Sequence, residues 1–337
     1  MLRRVFLAAG LALAWTCPGQ AEPLLLRIST ENSPDHVQTR AVARFADALA
    51  QRAAGRLSVS HHSGAALFRD ADVVKALRQG RIEMAVPGTW HLDRLEPSVG
   101  LYLLPAFHGR DAAIQTRLQD GPLGDEINAR LQATLGVTVL GRWIDLGFAH
   151  LYGVRRVIRD AEDVRGMRIR VAGGEANLRR LAAMGAEPRI VPWPDLPQAM
   201  AAGTIDGILT THETVASGRL WEKGIGSAYE DHQYFPRYVP LVSGQFWRRL
   251  PDDLKAVMAE VWEAGVDSAR ADAARAQDAA RAALLANGIV VTRPEPPRLA
   301  AQRQALMADQ PAIVAALGIE PGLVAEAMAA LAGESRP

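Results

Sequence analysis

Cysteine is nearly missing from this chain: its 337 residues hold one, Cys17. A lone thiol closes no internal disulfide, and a cysteine-based metal site needs several. Long apolar runs are missing too. Val5–Trp15 is an apolar stretch of eleven residues, short of the roughly 20 that a membrane-crossing helix requires. No later segment reads as transmembrane. The net charge of +1, with no basic stripe, argues against a nucleic-acid surface. Catalytic signatures are also lacking: there is no H-E-x-x-H, no G-x-S-x-G, no P-loop and no glycine-rich phosphate loop. His61 and His62 are adjacent on an expected strand, where neighbours face opposite ways and cannot chelate together.

What is present begins with an export pattern. Arg3 and Arg4 precede the apolar stretch, and Gly19-Gln20-Ala21 supplies small residues at the −3 and −1 positions before Glu22. Residues 1–21 are therefore expected to be a cleaved signal peptide, placing the mature protein in the periplasm. Ala14-Trp15-Thr16 before Cys17 lacks the Leu and small residues of a lipid-anchor box. Cleavage leaves 316 residues without cysteine and, with Arg3 and Arg4 gone, shifts the net charge from +1 to −1. That length suits two lobes with real cores.

Strand-like and helix-like segments alternate from Leu24 to about Leu209. Leu24–Ser29, Leu57–Ser60 and Ile82–Val86 read as strands, with an amphipathic helix from about His36 and another over Asp72–Gln79. The pattern restarts with Val137–Trp143, Phe148–Val154, Met167–Val171 and Glu187–Val191 as strands, and Gly174–Ala183 and Asp195–Ala202 as helices. This order predicts α/β architecture with parallel strands, and ligand loops at the strands' carboxyl ends. Asp252–Ala286 has no proline and one glycine, Gly265; Pro251 opens it and Asn287-Gly288 closes it. At ~1.5 Å per residue its length is about 52 Å, and its alanines form no coiled-coil seam, so it reads as a strut across both lobes.

One strand carries a chemical signal. In Met167-Arg168-Ile169-Arg170-Val171 an arginine falls inside an apolar-alternating run. Either Arg168 and Arg170 share a solvated face, or Arg170 is buried, which is costly without a partner. A buried guanidinium is best met by a carboxylate or phosphate on its planar fork.

Landmarks in order now resemble one family. They are Gly55-Arg56-Leu57, Val74–Met84, Asp163–Val171, Gly185-Ala186-Glu187-Pro188 and Ala202–Gly207. Together they resemble the DctP-type solute-binding proteins of TRAP (tripartite ATP-independent periplasmic) transporters, over about Leu26 to Thr292. The resemblance implies a two-lobed periplasmic binding protein, type II-like, with a long domain-crossing C-terminal helix. Lobe 1 is expected to span 22–147 plus about 236–270, and lobe 2 to span 148–235 plus about 271–330. The implied role is capture of a small organic acid by lobe closure and its delivery to two integral membrane subunits. The protein is expected to act as a monomer, without cofactor or metal and without catalysis. Arg170 matches the arginine that clamps the ligand carboxylate.

Other expected ligand residues follow from position. Trp193 stands two residues before Asp195, as an aromatic does in the family, and offers a cleft wall. Asp195 is expected to cap the next helix or to orient a neighbouring base. Thr210 falls where relatives carry asparagine; Thr211, His212 and Glu213 lie beside it, as ligand groups or as a solvated helix start. Phe148 is expected near Trp193, while Asn32 and Trp90 occupy first-lobe loops at strand carboxyl ends. In Gly147-Phe148-Ala149 an alanine stands where many relatives have a second arginine, which inclines the reading toward a monocarboxylate. Two other readings stay open, an ABC-transporter binding protein and a ligand sensor. A periplasmic enzyme using Arg170, His150 and Glu213 on a hydroxy or keto acid is a remote alternative.

Overall fold

The computed structural model describes residues 22–333; the expected signal peptide lies outside them. The first strands are β1 (Leu24–Ser29), β2 (Leu57–His62), β3 (Met84–Ala85), β4 (Val137–Val139) and β5 (Ile144–Asp145). Next come β6 (Ala149–Val154), β7 (Arg168–Val171), β8 (Glu187–Ile190), β9 (Gly207–Thr211) and β10 (Ile225–Tyr234). Then follow β11 (Arg237–Tyr238), β12 (Leu241–Ser243) and β13 (Val290–Thr292).

Two sheets result, ordered β2-β1-β3-β12-β4 and β13-β10-β6-β9-β7-β8, with β5 and β11 forming a separate pair. In β1 the side chains of Leu26 and Ile28 are buried while Leu25 is exposed, the period-2 signature of a strand covered on one face. Strand β6 is buried at all six positions, as expected of a strand with neighbours on both sides and covered faces.

The expectation of parallel strands holds for β2-β1-β3 and for β9-β7-β8. It fails at two places. Strand β12 runs antiparallel to β3 and β4, and β6 runs antiparallel to β9 and β10. The chain enters β12 straight from the second sheet by way of β11, so no helical crossover sets its direction, and antiparallel pairing is open to it.

The chain passes between the sheets through β5 and β11, where Asp145 pairs with Arg237 in register and by a buried ion pair at 3.0 Å. The long helix covers Asp252–Ala286 as expected. Near its start, Met258 and Trp262 join the larger core, with Trp262 edge-on to Phe45 of the helix Val37–Arg52 at 5.2 Å. Near its end, Leu284 sits in the second lobe's core with Tyr152 and Ile208. One rigid element is therefore anchored in both cores.

Replacing Leu284 with Ala should cost about 2–5 kcal/mol in urea denaturation, because a fully buried leucine leaves a cavity. Leu285, half exposed one residue later, should tolerate Ala within about 0.5 kcal/mol.

Candidate ligand-binding site

Strand β7 ends at the cleft between the lobes. Its two arginines obey the alternation but meet different surroundings. Arg168, at the strand's entry, pairs with Asp206 at 2.9 Å and also donates to the Gly203 carbonyl. That pairing holds the Asp206 carboxyl down at about 2. Arg170 lies deeper, 2 % exposed, between Ile208 of β9 and Arg189 of β8. Its Nε donates to the Val191 carbonyl at 2.8 Å, and its Nη2 is buried without a partner. Burial pulls its pKa down to about 10, which leaves it cationic at neutral pH. Arg180 shows the contrast. It is equally buried, but its fork is spent inside the protein on Gln233, Asn177 and the Leu103 carbonyl.

Arg170 lines a cavity of about 40 Å³. Six of the expected site residues line it: Arg170, Trp193, Thr210, Thr211, Trp90 and Asn32. Several have other duties. Asn32 spends its Nδ2 on Gln38 and the Tyr238 hydroxyl. Thr211 Oγ1 accepts from the Thr214 N–H and so caps the helix His212–Ser217. Trp90 packs edge-on against Tyr238 at 5.5 Å, and its indole N–H is buried without a partner.

Two expected site residues lie elsewhere. Phe148 and His212 line a separate cavity with Glu230 and His232. Phe148 follows Gly147, whose φ of 115° suits glycine and turns the chain; its ring then stacks on His232 at 4.2 Å. His212 is held by the Tyr152 hydroxyl at 2.8 Å and Glu230 at 3.1 Å. Those bonds draw its ring behind β6, away from Arg170.

Asp195 makes no capping bond; it meets Arg69 of the opposite lobe with two bonds of 2.8 and 3.1 Å. Glu213 is not solvated. It accepts from the Val37 N–H at 2.8 Å and contacts His36 Nε2 at 2.9 Å, both in the first lobe. Burial raises the Glu213 carboxyl, but the charge and hydrogen bond of His36 and the Val37 N–H outweigh it, so its pKa is lowered. With Arg94–Glu175 at 2.7 Å, three ion pairs tie the lobes across the cleft.

Glu31, in the Glu31-Asn32-Ser33 loop expected to supply first-lobe contacts, also lines the cavity. Asp70, His91, Tyr234 and Tyr238 line it as well and were not singled out from sequence. Asp70 begins a helix, and the tyrosines come from the bulged end of β10 and from β11; no local motif marks them.

Residues 28–315 match the model of bacterial extracellular solute-binding protein family 7, DctP. The chain belongs to this family, that of the TRAP solute-binding proteins. It is 24 % identical over 263 residues to the C4-dicarboxylate-binding periplasmic protein DctP of Rhodobacter capsulatus, covering 78 % of each chain. To the 2,3-diketo-L-gulonate-binding periplasmic protein YiaO of Escherichia coli it is 27 % identical over 257 residues, covering 76 % of this chain and 77 % of that one. Among solved structures, the sugar acid binding protein DctPAm of Advenella mimigardefordensis, in complex with galactonate, superposes with a TM-score of 0.86 at 21 % identity, covering 94 % of this chain and all of that one. A TRAP protein of Ralstonia eutropha with bound (S)-2-acetolactate gives 0.83 at 25 %, covering 92 % and 99 %. Family members are transport proteins of the extracellular or periplasmic space, and no helix among the described residues of this DctP-family chain is long and apolar enough to cross a membrane.

A lowered Glu213 pKa means that its cross-cleft bonds help closure fully above the ordinary value of 4.5 and are lost as pH falls below it, through the lowered value of the closed form. The closed fraction, read from the radius of gyration in small-angle X-ray scattering, should therefore hold above about pH 5.5 and drop as pH falls below about 4.5. Glu213→Gln should start more open at pH 6 and respond less steeply.

Proposed function

We propose that this DctP-family protein is the extracytoplasmic receptor of a TRAP transporter and captures a compact monocarboxylate. The carrying observation is Arg170, a buried cation that lines the cavity and whose Nη2 has no hydrogen-bond partner among the described residues. A carboxylate on that edge would complete the fork and offset the cost of burying the charge.

The rest of the wall favours one carboxylate rather than two. Arg170 is the one arginine lining the cavity, whereas Glu31 and Asp70 both line it. A second ligand carboxylate would meet these acids. Ala149, buried within β6 opposite Thr211, supplies no second arginine. The bound ligands of the Advenella and Ralstonia proteins, galactonate and acetolactate, are monocarboxylates. The Rhodobacter relative is named for C4-dicarboxylates, and so stands for the competing substrate class.

In this reading lobe 1 comprises 22–147 plus about 236–270 and lobe 2 comprises 148–235 plus about 271–330. They close about β5 and β11, and the closed form passes its ligand to the membrane subunits as a monomer. Family membership favours TRAP over ABC delivery.

Arg170→Ala should weaken binding of the best acid found in a thermal-shift screen by more than about 100-fold, in line with removing a charge-assisted bidentate contact, with an unchanged circular dichroism spectrum. Arg170→Lys should restore part of the loss, because a point charge lacks the fork. Unchanged affinity in Arg170→Ala, or tighter binding of succinate than of every monoacid, would contradict the proposal.

A further inference from the structure

Opposite Arg170, the first lobe contributes a cluster that the carboxylate clamp leaves unused. Glu31 follows β1, Asp70 opens the helix Asp70–Arg78, and His91 follows β3. One ligating atom from each lies within 4.8 Å of the other two, and all three residues line the Arg170 cavity. Their bonds inside the protein are few. Glu31 Oε2 accepts a long 3.4 Å contact from the Asp70 N–H and stands 3.8 Å from His91 Nε2. Asp70 Oδ2 accepts from the Gly88 N–H at 3.2 Å, while Oδ1 has no partner although the residue is 3 % exposed.

We infer that the bound acid carries a protonated amino group: its ammonium sits between Glu31, Asp70 and His91 while its carboxylate lies on Arg170, which makes the ligand a compact α-amino monocarboxylic acid. This rests on the carboxylate reading above and names the class of acid within it.

Three arguments converge. The first is charge. Glu31 and Asp70 resist ionising together in the empty cavity; an ammonium between them lets both ionise beside Arg170, which a simple monoanion would not. Buried charge of one sign is costly when uncompensated. The second is geometry. An ammonium has three donors at tetrahedral angles, and charge-assisted bonds of about 2.8 Å place their acceptors about 4.6 Å apart. The three atoms lie within 4.8 Å of one another, near that spread, with Glu31 Oε2 and His91 Nε2 nearer at 3.8 Å. The third is acceptor capacity. Burial pushes the Asp70 and Glu31 carboxyls up, with Glu31's charge adding to the rise at Asp70, as happens when two acids meet without a cation. Burial, with Arg170 nearby, pushes His91 down to about 3, so its imidazole is neutral and has a lone pair to offer.

The test compares acids of one shape that differ in one group: L-alanine, L-lactate and propanoate, then L-valine, (S)-2-hydroxy-3-methylbutanoate and 3-methylbutanoate, with the D-forms. Binding of the mature protein is measured by calorimetry in chelator-treated buffer, after a thermal-shift screen of the common amino acids and matched hydroxy acids. The amino member of the best series should bind at least about tenfold tighter than its hydroxy and unsubstituted partners, about 1.4 kcal/mol. Asp70→Asn should weaken the amino member at least about tenfold and so remove that preference; Glu31→Gln does the same work if Asp70→Asn does not fold. The inference is overturned if hydroxy or unsubstituted acids bind as tightly as amino acids, if no amino acid binds while another carboxylate does, or if binding needs added Ca²⁺, Mn²⁺ or Zn²⁺. Loss of all carboxylate binding, or retained affinity in Arg170→Ala, counts instead against the receptor reading itself.

Discussion

The guanidinium of Arg170 is the constraint around which this protein is arranged. It is fixed by one bond to the Val191 carbonyl and by sheet neighbours on either side, and among the described residues no ion pair joins it to an acid. A charge in that position is tolerated only if a partner arrives from outside or from across the cleft. Every other buried arginine near it is more fully engaged: Arg180 by side-chain and carbonyl oxygens, Arg237 by Asp145 and Thr116. Frame-building arginines are thus distinct from Arg170, the one the proposed function assigns to the ligand.

The opposite wall follows from the same constraint. Acids in the first lobe, Glu31 and Asp70, share the cavity with Arg170, and His36 and Arg69 of that lobe meet Glu213 and Asp195 of the other. Their contributions differ. Arg69–Asp195 and Arg94–Glu175 involve exposed side chains and are worth little in water. His36–Glu213 is buried on both sides, so it forms only when the lobes meet and water leaves. The outer pairs guide the lobes together, and the inner pair favours one register of contact.

The frame was largely legible in the sequence because its signals are local. The helix Asp252–Ala286 could be bounded to the residue, since proline precedes it, Asn-Gly follows it and little interrupts it. Arg170 was legible through the family resemblance, since the alternation of Arg168 and Arg170 alone left a solvated face open. Strand direction was not. The antiparallel insertion of β12 depends on where the chain returns from the second sheet, which no short stretch encodes. Phe148 and His212 were misplaced for a related reason: neighbours in sequence to Ala149 and Thr211, they are turned away by the φ of Gly147 and by bonds to Tyr152 and Glu230. Glu31, Asp70 and His91 come from three separate loops, and only the folded first sheet brings their tips together.

The long helix explains how such widely drawn walls keep their geometry while the lobes move. Trp262, Arg270 and Gln277 are spaced by eight and seven residues, close to two turns each, and so lie on one face. Trp262 donates to the carbonyl of Arg142, Arg270 to that of Trp143 and Gln277 to that of Leu146, along the segment that carries β5 between the lobes. Gln277 also accepts from the Glu213 N–H, at the start of the helix whose acid reaches His36. The strand that bends and the loop that latches are thus attached to the same rigid rod. In the proposed closure a rotation about β5 and β11 carries Arg170 toward Glu31 and Asp70, and attachment of both segments to one rod limits the register in which the two walls can meet.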